Sequence, residues 1–368
     1  MRKILTIFIL IIVSFGLFGC FSNRSDKGDC QFNHSLMEEG VLSVNYELLN
    51  PNLKLNDNES GFVCYVDKEV IVFSVGKRNK LDVGPLVDTE YLAVYNFKKK
   101  QVVRYFYTMT ESFICDVIPY HNGILYSTYK RSRIEKQIFE WEVVYINSQG
   151  KKLLDEGQCT SYEMIPSFTL INSKPVYLLE NISNGKYICC IKRITNMRLS
   201  TIFISKTYKL LETTIDGNGK QYCFLAVEDN QPMLIIGDEK EILIEYKIQG
   251  KINSFDINKK YALISLQEDS LQQSLHTLDL KSKKELKYNF EEGLYRLTGG
   301  TGEDCLCVDW EFTPYQINLE KQCIFKLKKP KKYENESQSI SFYPISNLRY
   351  VISLDIDDKW SLYLMDLE

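Results

Sequence analysis

Proline and glycine are scarce, 9 and 19 among 368 residues, and that scarcity excludes a long disordered chain. Histidine is scarcer still. His34, His121 and His276 are scattered, and no CxxC pair accompanies the "CLC" at 305–307, so no metal site is expected. Positive charge is not in excess: the net charge is −3, and nucleic acid, which needs a basic footprint, is not expected as a partner. Long helical periodicity is absent, and so are the GxSxG, HExxH, phosphate-loop and Cys–His signatures of common catalytic sites. The glycine-bearing stretches "TGGTG" (298–302) and "DGNGK" (216–220) lie between strand-like segments and read as turns. Neither a catalytic residue nor a cofactor is assigned from the sequence.

The one long apolar run stands at the start of the chain. Arg2 and Lys3 precede a 14-residue apolar segment, Ile4 to Leu17, and small Gly19 then leads to Cys20. A basic segment, a short apolar segment and a small-residue exit have the layout of an export signal, too short to cross a bilayer as a helix. The terminal "LFGC" resembles the lipobox of bacterial lipoproteins, although Phe18 is bulkier than the residue usual there. The resemblance implies cleavage before Cys20, a diacylglycerol on its thiol and an acylated new amino terminus. It also implies an extracytoplasmic protein, anchored through lipid (palmitate among its acyl chains) to a bacterial membrane of the cell envelope. On this reading residues 1–19 are signal peptide, 20–40 a lipidated polar tether and 41–368 the folded domain. The mature chain carries a formal charge of −5 once Arg2 and Lys3 are removed.

Tyrosine (24) and phenylalanine (19) are plentiful, which favours strands. From Val41 onward apolar segments of 5–8 residues alternate and are bounded by short polar turns. One unit recurs. A strand runs into a small polar or acidic residue, a turn, and a second strand, at Asn96, Asn147, Thr195, Asp238, Asp279, Asn318 and Asp366. The intervals are 51, 48, 43, 41, 39 and 48 residues, and two further strand-like segments precede each turn. Four strands per roughly 40–50 residues, seven times over, predict an all-β, seven-bladed β-propeller with four-stranded antiparallel blades. A pair of two-sheet sandwiches is the alternative that alternation leaves open. The last unit ends one strand short, and a spare strand, "VLSVNYELL" (41–49), precedes the first; the N-terminal strand is expected to close the last blade. Of the ten cysteines besides Cys20, adjacent Cys189 and Cys190 should point to opposite strand faces, and Cys305 and Cys307 to one face, as small buried hydrophobes.

Loops joining second to third strands share one face with the connections between blades. The first two such loops (77–89 and 130–137) are basic and those of blades 4 to 7 mainly acidic. Blades 6 and 7 place Trp310, Glu311, Phe312, Asp355, Asp357, Asp358 and Trp360 in or beside two such loops. Rings next to carboxylates suit a sugar or a basic peptide. The expected function is a non-enzymatic, surface-tethered propeller lipoprotein that binds a protein or glycan on this face. A propeller glycoside hydrolase or lyase and an envelope-assembly scaffold are the competing readings. Trp310 and Trp360 as packing residues at strand ends is the competing reading of the site.

Overall fold

A computed structural model describes residues 33–367 apart from short stretches at 35–36, 43, 50–52, 54, 56–58, 79–86, 108–111, 133–137, 184–185, 268–272, 291–293, 300–303, 310–312, 329–339, 347–348 and 357–358. Cys20 and the signal segment lie outside the described residues.

Seven antiparallel four-stranded sheets follow one another along the chain. They span residues 59–106, 113–159, 168–205, 209–247, 251–290, 294–327 and 340–367, here blades 1 to 7. The strand nearest the axis comes first in each blade, and these innermost strands touch in series until that of blade 7 meets that of blade 1. The seven-bladed propeller expected from the repeat is the fold. Its core is not central. Seven buried apolar clusters each fill one junction between neighbouring blades. Strands inside a blade are therefore covered on both faces, as in Gly123–Arg131, whereas the outer strand Gln101–Phe106 is largely exposed.

At five of the seven positions the recurring Asn or Asp performs the turn chemistry expected of it, while Asp366 lies within the strand Lys359–Leu367. Side-chain oxygens accept backbone amides two or three residues on: Asn96 from Lys99 (2.8 Å), Asn147 from Gln149 (2.9 Å), Asp238 from Lys240 (2.7 Å), Asp279 from Ser282 (2.6 Å) and Asn318 from Lys321 (2.8 Å). Thr195 differs: its turn is made by Asn196 and Met197, with φ of 50° and 57°, a two-residue hairpin of the primed type. Cys189 and Cys190 enter different junctions, 3–4 and 2–3, while Cys305 and Cys307 share junction 5–6, as the alternation required.

Ring closure uses the spare strand. Val44–Leu48 pairs antiparallel with Lys359–Leu367 and becomes the fourth strand of blade 7, and the Leu49 amide continues the ladder to the Leu362 carbonyl at 2.8 Å. The strand is shorter than 41–49 because the residues before it do something else. Met37–Leu42 lies parallel to the outer strand of blade 6, Cys323–Leu327, and Asn33–His34 lies parallel to that of blade 5, Glu285–Phe290. The segment expected to be an irregular tether up to residue 40 thus joins sheets from Asn33 on. It laces three successive blade rims, and the otherwise open outer edges of blades 5 and 6 supply its backbone partners.

Polar side chains near the axis stitch blades 2 to 6 together in series. The Phe168 amide of blade 3 donates to Asp116 Oδ2 of blade 2 at 2.6 Å, and the Ile257 amide of blade 5 donates to Asp216 Oδ2 of blade 4 at 3.2 Å. Ser167 Oγ accepts the Ile215 amide at 3.1 Å, and Ser254 Oγ accepts the Leu297 amide at 3.0 Å. An oxygen of one blade satisfies an inner-strand amide of the following blade, so these junctions are joined by hydrogen bonds as well as by apolar packing.

Candidate ligand-binding face

Trp310, Glu311, Phe312, Asp357 and Asp358 lie outside the described residues. Asp355 falls near the end of the second strand of blade 7, Arg349–Ile356, with its backbone opposite Trp360. Trp360 is not a ligand-facing ring. It is 7 % exposed, packs in the 7–1 junction 5.8 Å from the Phe73 ring, and donates from Nε1 to Ser353 Oγ at 2.9 Å. The reason is periodicity: Trp360, Leu362 and Leu364 alternate along one strand and share its buried face toward blade 1. The packing reading holds for this residue. Two basic residues of the first two loops are also neutralised locally, Lys77 by Glu90 (3.8 Å) and Lys130 by Glu140 (3.2 Å).

On the same face the structure brings together a different set of rings and acids, around blades 2 to 4. Phe113 begins the innermost strand of blade 2, Phe113–Tyr120, directly opposite Tyr129 of the second strand, with ring centroids 5.5 Å apart. Phe139, at the head of the third strand, follows at 5.8 Å from Tyr129, and the Arg131 guanidinium stands 5.9 Å from the Phe139 centroid. The row is half-buried. The connection to blade 3 carries a short 3-10 turn, Tyr162–Met164, capped by Ser161, whose Oγ accepts the Glu163 amide at 3.3 Å. Pro166 ends it by forcing Ile165 into extended backbone. Tyr162 is left 60 % exposed.

What fixes this connection is an irregularity in blade 4. The innermost strand Lys209–Gly217 loses register with its neighbour between Leu210 and Ile215. Its freed groups turn to the connection instead. Thr213 Oγ1 donates to the Ile165 carbonyl at 2.5 Å, and Ser167 Oγ donates to the Thr213 carbonyl at 2.8 Å. Glu212 and Glu163 are thereby neighbours. Burial pushes the Glu212 carboxyl up, the Thr214 hydroxyl at 2.9 Å opposes this, and the Glu163 charge adds to it. Partial burial raises the Tyr162 phenol, and both glutamates reinforce that shift. Leu211, 40 % exposed, adds apolar surface.

The arrangement offers ring faces for stacking and two carboxylates that accept hydrogen bonds. The sequence places the same combination in blades 6 and 7, where Trp360 is buried and Trp310, Glu311, Phe312, Asp357 and Asp358 lie outside the described residues. The available signal was length: the connection at 160–167 is longer than those at 206–208 and 248–250 and holds "SYEMIP".

No family model matches the sequence, and no curated protein matches it. Solved structures do match in fold. A prolyl endopeptidase superposes with a TM-score of 0.56 at 10 % identity over 87 % of this chain, which spans 52 % of that one. YCF48 bound to D1 peptide gives 0.55 at 8 % identity over 90 % of this chain and 99 % of that chain. The propeller domain of the Trilobed protease from Pyrococcus furiosus gives 0.51 at 10 % identity, with 70 % and 82 % covered. That domain has an open velcro topology; here Val44–Leu48 zips blade 7. At these identities the likeness concerns the fold.

Proposed function

We propose that this protein is a lipid-anchored, extracytoplasmic propeller that binds a protein or glycan on its loop face without transforming it. The observation that carries the binding reading is the row of Phe113, Tyr129 and Phe139 beside exposed Tyr162 and the Glu163–Glu212 pair. Rings give a large contact area at low entropic cost, and the carboxylates orient donors of a sugar or of a basic side chain. YCF48, similar in fold, is solved with a peptide bound. The lipobox-like "LFGC" supports the anchor. Thirteen residue steps from Cys20 to Asn33 reach at most about 45 Å, so the tether would keep the propeller close to the bilayer surface.

The test is binding of the purified full-length protein to a glycan array and to an oligolysine peptide. Tyr162→Ala combined with Glu163→Gln should lower binding at least about tenfold, the scale of one lost aromatic anchor, with melting unchanged. Retained binding in that variant removes the site. Turnover of any bound glycan removes the non-catalytic reading.

A further inference from the structure

The opposite face of the propeller, where first strands turn into second and third into fourth, holds a cleft of about 600 Å³ on blade 3. It is lined by Lys174, Arg193, Thr195, Arg198 and Ser200. The register explains why they converge. Arg193 stands opposite both Val176 and Ser200, and Thr195 opposite Arg198, while Lys174 and Val176 are two apart on the second strand. Directly opposed residues and residues two apart share a sheet face, so all five project on the same side as Val176. That side is the one packed against blade 4, since Val176 belongs to the 3–4 junction core. Near this end of the junction, apolar packing gives way to three cations.

The blade 4 side answers them with a single carboxylate. Arg193 Nη1 meets Glu239 Oε1 at 3.3 Å, and Lys174 and Arg198 have no ion-pair partner among the described residues. The rim is fixed from the other side, because the Asn196 amide donates to the Tyr120 hydroxyl of blade 2 at 3.1 Å.

We infer that this cleft on blade 3 is an oxyanion site that takes a phosphate group. A tetrahedral oxyanion in the cleft meets the Lys174 and Arg198 cations, which have no ion-pair partner among the described residues, beside the Arg193 guanidinium. Glu239 occupies one guanidinium nitrogen, acting as an internal competitor. The site lies at the far end of the blades from the ring-and-carboxylate surface, so it stands or falls independently of the binding function proposed above.

The experiment is calorimetric titration of the purified chain from residue 21 on, which keeps every described strand but lacks the Cys20 lipid, with pyrophosphate, together with its flotation on phosphatidylglycerol and on phosphatidylcholine vesicles. Saturable one-site binding of pyrophosphate, or retention on phosphatidylglycerol vesicles alone, is expected; the first assigns a soluble phosphate and the second a lipid headgroup. Lys174→Gln with Arg198→Gln should weaken the observed binding at least about tenfold, and Glu239→Gln should strengthen it. A merely structural role for the cations predicts no gain from Glu239→Gln. Absence of binding to both probes, or binding indifferent to these three substitutions, overturns the inference.

Discussion

A Cβ placed on Gly61 of blade 1 would lie 2.6 Å from Cζ3 of Trp360 in blade 7. The last blade is seated on the first through an indole that needs a glycine opposite it. Trp360→Ala should therefore destabilise by about 3–5 kcal/mol, the cost of emptying a large aromatic site. Gly61→Ala should destabilise as well, because the ring must move away from its place beside Phe73. Denaturant unfolding of both variants measures this, and unchanged midpoints would remove Trp360 from the closure.

The alternation that buries Trp360 was available in "KWSLYLMDL", yet its nearness to the acidic "DIDD" made it read as a loop residue. A boundary error of one residue changes which face a strand side chain takes. The blades themselves were legible because each repeats a strand-and-turn chemistry that is local, as with Asn96 or Asp279. Contacts between blades were not. Asp116 meets the Phe168 amide 52 residues away, and a single aspartate in a strand looks only like a polar face. The rim strap at 33–42 carried even less signal, since "MEEGVL" shows no alternation and its partners are backbone groups of blades 5 and 6.

Asp116 gives a pH prediction. Burial raises its carboxyl to about 7, although the Phe168 and Val117 amides favour the ionised form. A carboxyl raised on folding contributes its full stability below the unfolded value near 3.8 and loses it as pH rises through the folded value. The wild type should thus lose roughly 2–4 kcal/mol between pH 4 and 8 from this group. Asp116→Asn cannot titrate, so the difference between the two stability profiles isolates it from other carboxyls. Parallel profiles would mean that Asp116 keeps an ordinary pKa.

The strap and the closing strand should differ in weight. Tyr46 pairs opposite Met365, packs on the 6–7 junction core and donates its hydroxyl to the Lys328 carbonyl. Tyr46→Ala removes this packing and the hydroxyl's bond to Lys328, and should cost at least about 2 kcal/mol. Val41→Pro disturbs only the parallel pairing on blade 6 and should stay within about 1 kcal/mol. Thermal melts decide between them. Equal losses would make residues 37–42 as structural as the closing strand.

The anchor prediction rests on one thiol. If "LFGC" acts as a lipobox, Cys20→Ala removes the sulfur that accepts diacylglycerol, and the signal can no longer be cut at that point. Incorporation of labelled palmitate should vanish, and mass spectrometry should find the precursor with residues 1–19 retained. Two or more acyl chains are needed for stable attachment, at about 0.8 kcal/mol per buried CH₂, so loss of the single acceptor should abolish lipid anchoring rather than weaken it. The propeller itself should be untouched, because every blade strand lies well after Cys20 and, among the described residues, strand pairing begins at Asn33. A Cys20→Ala protein that is cleaved normally and still takes the label would place its lipid on another residue and end the lipobox reading.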